Sequence, residues 1–370
     1  MQIANLEVMP LALPFRRRYR TATGELDARQ VVVVRIWTAD GRQGLGEAVP
    51  LSLRGGPGLE QIVAELRACA VSLVGVDLRP IPRSQPEEIR GWIQTTLAGL
   101  GATQVCAQTL AALDIALHDL AGRLKGLPVW RLLGADEVER VHCNATLDAG
   151  DPADCAELAA EQAAAGFETF KIKVGIREDR ERVAAVREAV GGTAKIRIDA
   201  NGAWSPEQAI EMMSTLQSEE IELVEQPCAS LAGLAAVRAR TPVLVVADES
   251  VASFEDAEAA SAAAACDAAT LKLAKVGGPL RALRIASAIP SYLSSALDGP
   301  IGISAGLHTA QALPRGGFAS GFAHGLATLG MFTATYAPSA GLLAPELSPP
   351  LAPGLGVELD EDALQELRIP

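Results

Sequence analysis

From about residue 140 onwards, short runs rich in Val, Ile and Leu alternate with longer stretches rich in Ala, Glu and Arg whose apolar residues recur at helical spacing. That alternation predicts an α/β protein rather than an all-β or all-α one. Seven of the strand-like runs end in a polar residue, namely Asp148, Lys173, Asp199, Glu225, Asp248, Lys272 and Asp298, at intervals of 25, 26, 26, 23, 24 and 26 residues. A unit of about 25 residues holds one strand, a three-turn helix and two short loops. Seven such units and a weaker, Gly-rich eighth at Phe318 to Ala327 predict a (β/α)8-like barrel with its strand C-termini on one face. Helices over Glu178 to Val190 and Pro206 to Leu216, the second capped by Ser205, fit this repeat. An open doubly wound sheet is the alternative, and the serial regularity favours the barrel.

The first 125 residues follow a different pattern. Val31 to Trp37, a turn at Asp40-Gly41 and Gly44 to Ala48 predict a β-hairpin, followed by helices near Leu59 to Val74 and Ala107 to Leu124. The chain therefore divides into an α+β domain over 1–125, a barrel over 126–337 and a Pro- and Leu-rich tail over 338–370 that folds back on the first domain.

Composition narrows the function. Of 370 residues, 49% are hydrophobic and 21% charged, a globular balance. The net charge of −13 has the wrong sign for a duplex-binding protein, so nucleic acid is not an expected partner. No 18-residue uncharged apolar run occurs, and Met1 to Leu13 lacks the basic start of a signal peptide, so no membrane span and a cytoplasmic setting are expected. The six cysteines form no CxxC pair and read as reduced core thiols. His118, His142, His308 and His324 form no HxH or HExxH, so a bound metal would rest on carboxylates.

Lys171 and Lys173, two apart on a strand, share the face that lines a barrel interior. Asp199, Glu225 and Asp248 end three consecutive strands, where their oxygens could converge on one divalent cation such as Mg2+. Lys173 and Lys272 flank them. The combination suits removal of a proton α to a carboxylate, since a cation neutralises the charge that develops on the ene-diolate and a lysine moves the proton. Lowering a lysine from about 10.4 to about 7 or 8 takes roughly 3 to 5 kcal/mol, and Lys171 beside Lys173 supplies repulsion of the needed sign.

The segments FKIKVG (170–175), IRIDANGAW (196–204), LVEQP (223–227), ADES (247–250) and LKLAKVGG (271–278), in this order and spacing, resemble the enolase superfamily in its muconate lactonizing enzyme subgroup. The resemblance implies a (β/α)7β barrel with an α+β capping domain built from both chain ends. It implies Asp199, Glu225 and Asp248 as Mg2+ ligands, with Mn2+ as a substitute, Lys173 as base and Lys272 on the opposite face. Lys171 would assist Lys173 and hold the substrate carboxylate, Asn201 and Glu249 would support the metal ligands, and Lys275 would be structural. A small-molecule carboxylate substrate and a homo-oligomer follow from the same resemblance.

Within the superfamily, the seventh station reads Ser294, Ser295, Ala296, Leu297, Asp298, without the His base of mandelate racemase relatives. The two-lysine subgroup includes muconate cycloisomerases, o-succinylbenzoate synthases, N-succinylamino acid racemases and dipeptide epimerases. SSALDGPIGISAGL (294–307) is similar to o-succinylbenzoate synthases, whereas Met1 to Pro50 looks like the longer epimerase and cycloisomerase type. Dehydration of the o-succinylbenzoate synthase kind is the first expectation, and N-succinylamino acid racemase, dipeptide epimerase and cycloisomerase activities are the alternatives. Tyr19, Arg20, Ser295 and Asp298 are the substrate-binding candidates, with loops Tyr19 to Gly24 and Pro50 to Gly58 closing over the mouth. Arg16, Arg17, Arg18 and Arg20 either meet a second substrate carboxylate or form a solvated strand edge. A Schiff-base aldolase would leave three aligned carboxylates unexplained. A Rossmann site lacks its GxGxxG, and a mere scaffold would not have every ligand and lysine position filled.

Overall fold

The computed structural model describes residues 2–21, 24–52, 55–78, 85–99, 105–148, 150–315, 318–338 and 344–369. Val31 to Val34 lie in the middle strand of a three-stranded antiparallel sheet, ordered β1 (Ile3–Thr21), β2 (Gly24–Thr38), β3 (Gln43–Ala48). All four valines are buried because the sheet is covered on both faces. Val32, Val34 and Ile36 share a core with Ile62, Leu66 and Ile93 of α1 (Leu59–Leu73) and α2 (Pro86–Gly99), while Val31 and Val33 join the core that continues into the barrel. Burial on both faces removes the usual alternation and leaves a continuous apolar run. The sequence pattern predicts neither β1 nor α2. β1 contains Pro10 and Pro14, which the sheet tolerates because β1 is an edge strand. Across β3 runs α3 (Ala107–Lys125), so close that a Cβ on Gly46 would stand 2.0 Å from the Ala112 carbonyl oxygen.

After α4 (Val129–Leu132) and β4 (Val141–His142), seven parallel strands pair in chain order from β5 to β11. They are β5 (Ala145–Leu147), β6 (Thr169–Lys173), β7 (Lys195–Asp199), β8 (Ile221–Glu225), β9 (Leu244–Ala247), β10 (Ala268–Leu271) and β11 (Ser291–Leu293). The intervening helices are α5 (Pro152–Ala164), α6 (Asp179–Val190), α7 (Pro206–Thr215), α8 (Leu231–Arg238), α9 (Phe254–Ala262), α10 (Leu273–Val276), α11 (Pro279–Ala286) and, after β11, α12 (Pro300–Gln311). Ser205 and Gln208 form a reciprocal capping box at the start of α7. Ile172, Ile198, Val224 and Val245 are buried in the core that includes the helices, each worth about 1.5 to 3 kcal/mol of burial. Residues of the opposite parity, Leu223, Val246, Ala268 and Tyr292, form a separate cluster beneath the mouth.

The eighth station closes the barrel with single bridges rather than a full strand. His324 bridges to Cys143 and Gly325 to Ser294, both parallel. The expected weakness of this unit is thus a strand-like stave with no regular helix of its own. One boundary differs from the sequence reading: β11 stops at Leu293, so Asp298 lies not at a strand end but in the loop before α12. From the tail, β12 (Glu346–Leu347) pairs with β4, and α13 (Glu361–Leu367) precedes a bridge from Arg368 to Leu11 of β1. No helix among the described residues is long and apolar enough to cross a membrane. The six cysteines are free, five of them buried, and burial pushes the Cys155 and Cys266 thiols up to about 11.

Candidate active site

Consecutive strands β7 and β8 end level, with Asp199 opposite Glu225 in register, and Asp248 follows the last residue of β9. Strand alternation aims all three carboxylates into the barrel mouth. One oxygen of each lies within 4.8 Å of the others, and all three residues are buried. Around them stand the lysines. Lys171 Nζ is 2.6 Å from Glu225 Oε1 and 2.9 Å from Asp199 Oδ2, and Lys173 Nζ is 2.6 Å from Asp199 Oδ2. From the other side Lys272 Nζ donates to Asp248 Oδ2.

Burial works against the charge on Lys171, but Asp199 and Glu225 outweigh it and hold its ammonium well above the ordinary lysine range. Asp199 is likewise opposed by burial, and Lys171, Lys173 and Lys272 hold its carboxyl well below the carboxylate range. Glu225 is raised, by burial first and by Asp199 second. A donor set of three oxygens, without nitrogen or sulfur, fits a hard divalent cation such as Mg2+. The same cation would reverse the field on the flanking lysines and favour their neutral, basic form.

Asn201 and Glu249 support this cluster as a chain. Asn201 Oδ1 accepts from Lys173 Nζ at 3.0 Å, its Nδ2 donates to Glu249 Oε1 at 3.0 Å, and its backbone N–H donates to Asp199 Oδ1 at 3.1 Å. Lys275 is buried under Asp248, donating to its backbone oxygen and, at 2.9 Å, to Oδ1. Burial lowers this lysine, whose role is to hold Asp248. Two further supports were not legible as such. Gln226 Oε1 accepts from the backbone N–H groups of Asp248 and Ser250, at 2.8 and 3.2 Å, and Tyr292 donates its hydroxyl to Glu225 Oε2 at 3.1 Å. The Gln following Glu225 in LVEQP was the available signal for the first.

Above the cluster opens a cavity between the barrel mouth and the capping sheet. The barrel contributes Thr146, Lys171, Lys173 and Lys272, the loop after β11 contributes Ser294 to Leu297, and the eighth stave contributes Gly325 and Thr328. The capping side contributes Tyr19, Leu26, Arg29 and Leu51. Tyr19 is stacked on Phe15, which stacks on Phe332 beyond the eighth stave. Of the substrate-binding candidates, Tyr19 and Ser295 line the cavity while Arg20 and Asp298 do not. Arg20 is exposed and faces Glu25 at 3.7 Å and Asp154 at 4.0 Å, and Arg17 and Arg18 also pair with carboxylates. Asp298 turns back onto its own loop, accepting from Ser295 Oγ at 2.9 Å and from Ala296 N–H at 2.7 Å. Sequence reasoning missed Arg29, a buried β2 residue that reaches the cavity and donates to the Pro50 carbonyl at 2.8 Å. Ala22 and Thr23 of the first capping loop, and Leu53 and Arg54 of the second, lie outside the described residues.

A capped barrel whose strand ends carry this acidic triad between lysines defines the enolase class of enzymes. Residues 4–134 match the family model described as mandelate racemase / muconate lactonizing enzyme, N-terminal domain, and residues 154–363 match the enolase C-terminal domain-like model. The chain belongs to this mandelate racemase / muconate lactonizing enzyme family of the enolase superfamily. It is 32% identical over 324 residues to an L-Ala-D/L-Glu epimerase of Clostridium acetobutylicum, covering 84% of this chain and 87% of the relative. It is 40% identical over 192 residues to an o-succinylbenzoate synthase of Thermobifida fusca, covering 50% of this chain and 60% of that one. Among solved structures, a muconate lactonizing enzyme of Pseudomonas fluorescens complexed with muconolactone superposes with a TM-score of 0.90 at 28% identity, over 100% of this chain and 99% of the other. A dipeptide epimerase of Enterococcus faecalis complexed with Mg and L-Leu-L-Tyr gives 0.86 at 29% identity, over 97% and 100%.

Proposed function

We propose that the protein removes the proton α to the carboxylate of a small dianionic substrate bearing a succinyl-type arm, first of all in an o-succinylbenzoate-forming dehydration. The charge of the cavity carries this reading. Its described lining holds Arg29, Lys171, Lys173 and Lys272 and no carboxylate beyond the triad beneath. A dipeptide brings a free ammonium group that would enter this cationic cavity without a partner, a poor match for a charge taken out of water. An o-succinylbenzoate precursor or an N-succinylamino acid brings two carboxylates and no ammonium.

In this reading Asp199, Glu225 and Asp248 hold Mg2+, or Mn2+ in its place, which supplies neutralisation of the charge that develops on the substrate carboxylate. Lys171 holds that carboxylate, and Arg29 meets the distal one. For dehydration Lys173 takes the α-proton and returns it to the departing hydroxyl, with Lys272 protonated on the opposite face. Racemisation of N-succinylamino acids, with one lysine serving each face, is the second reading, supported by the placement of Lys173 and Lys272 on opposite sides of the triad. The enzyme is read as cytoplasmic and homo-oligomeric, as the sequence suggests.

Proton NMR in D2O with Mg2+ tests the proposal on the o-succinylbenzoate precursor, N-succinylamino acids and dipeptides. Loss of water from the precursor supports dehydration, and α-exchange with inversion in N-succinylamino acids supports the second reading. Turnover of dipeptides in preference to both rejects the charge argument.

A further inference from the structure

We infer that Glu47, a carboxylate of the capping domain, is a positioning residue that sets the cavity wall formed by the loop after β11. Glu47 lies on β3, 252 residues before its partner Gly299, and is 2% exposed. Its Oε1 accepts from the Gly299 N–H at 2.7 Å, and its Oε2 is bonded to the Tyr336 hydroxyl, which itself accepts from the Ile301 N–H at 3.1 Å. One capping-domain side chain thereby secures the first turn of α12, whose initial N–H groups have no partner inside the helix.

Glycines make the approach feasible. A Cβ on Gly299 would stand 2.7 Å from Glu47 Oε2, and one on Gly302 would stand 2.9 Å from Glu47 Oε1. The stretch immediately before this anchor is the wall itself, Ser294 to Leu297. Leu297 is held at φ +64°, the left-handed region a leucine rarely occupies. Such a conformation persists only where its surroundings over-determine it. Reciprocal bonds between Ser295 and Asp298, at 2.9 and 2.8 Å, and a bond from Thr328 to Ser295 at 3.1 Å hold one end of the loop, and Glu47 holds the other. The hydrogen bonds of Glu47 go to the start of α12 and to Tyr336, so its influence falls on substrate fit rather than on proton transfer.

The test compares Glu47→Ala, Glu47→Gln and Tyr336→Phe in the full-length, Mg2+-loaded protein. Amide hydrogen exchange over residues 294–302 is the readout that needs no substrate, and kinetics with an N-succinylamino acid is the second. In Glu47→Ala, exchange over 294–302 is expected to rise at least about tenfold while peptides carrying Lys173 and Asp199 stay unchanged. KM should rise at least about tenfold with kcat within about threefold, and Gln, which keeps both bonds, should restore both. Unchanged exchange in Glu47→Ala, or a fall in kcat at constant KM, overturns the inference. If Glu47→Ala does not fold, Tyr336→Phe carries the test, and exchange identical to wild type overturns it. The kinetic arm rests on the proposed function: a wild type without turnover rejects that reading, whereas the exchange arm decides this one.

Discussion

Lys173 and Lys272 address the acidic triad from opposite ends: Lys173 Nζ lies 2.6 Å from Asp199, and Lys272 Nζ bonds Asp248, whose other oxygen is held by Lys275. On the proposed reading, a substrate seated between them would present one face to each lysine. Exchanging either for Ala should lower turnover by about 10²- to 10⁴-fold, the usual worth of a positioned acid or base. The pattern separates the two reactions. In a one-base dehydration Lys272→Ala still incorporates no deuterium into unreacted substrate, whereas in racemisation it leaves exchange of one enantiomer intact, as NMR in D2O would record.

Metal binding should stabilise the fold through the triad. At a Mg2+ concentration about 100-fold above its Kd, the gain is about 2.7 kcal/mol, visible as a rise in Tm. Chelation should abolish both the rise and turnover. Asp248→Asn should remove the Mg2+-dependent shift while the protein still folds, and a shift of wild-type size in that variant would place the cation elsewhere.

Arg29 should discriminate substrates by their distal end. Charge-assisted hydrogen bonds contribute about 1.5 to 3 kcal/mol, so Arg29→Met should raise KM roughly 10- to 100-fold for N-succinylamino acids. N-acetylamino acids, lacking the distal carboxylate, should be nearly unaffected. Equal losses on both compounds would assign Arg29 to the architecture of the Pro50 loop alone.

Stability should fall on both sides of a mildly acidic optimum. Burial, and then Asp298, push Glu47 up to about 8 from an ordinary value of 4.5. The folded protein therefore keeps a proton that the unfolded chain releases near 4.5, so this contribution is full below 4.5 and is lost as pH rises through about 8. The magnitude is on the order of 4 to 5 kcal/mol. His308 and His324 act in the other direction: burial lowers both to about 4, so their contribution is present above 6.5 and is lost as pH falls through about 4. Urea titrations across pH should show both limbs. Glu47→Gln should flatten the alkaline limb alone, and an unaltered slope between about pH 6 and 8 would assign that limb to Asp298, the neighbouring carboxylate that burial also raises.

Much of the barrel was legible because its signal is periodic. Strand-end residues recur at near-constant spacing, and parity along a strand alone says that Lys171 and Lys173 share a face and that Asp199, Glu225 and Asp248 can converge. The seventh strand reads as ending at Asp298 because that residue falls 26 positions after Lys272, in step with the repeat. A loop with Leu297 in the left-handed region carries no periodicity to reveal it. β1 was hidden by Pro10 and Pro14, harmless only in the edge position that pairing gave the strand. Density of charge drew attention to Arg20, which the structure pairs with Glu25 outside the cavity lining, while the solitary Arg29 gave no such signal and reaches the cavity.

The sequence by itself determined the repeated strand-helix unit, the carboxylates and lysines at the strand ends and the family to which they belong. These are consequences of local periodicity, which hydrophobic burial enforces at every repeat. Only the tertiary structure decided which residues close the cavity and how the capping sheet meets the barrel: Arg29 over the mouth, Tyr19 on Phe15 and Phe332, and Glu47 at the start of α12. Those contacts join segments up to 317 residues apart, such as Phe15 and Phe332, and their geometry is set by packing that no local pattern encodes.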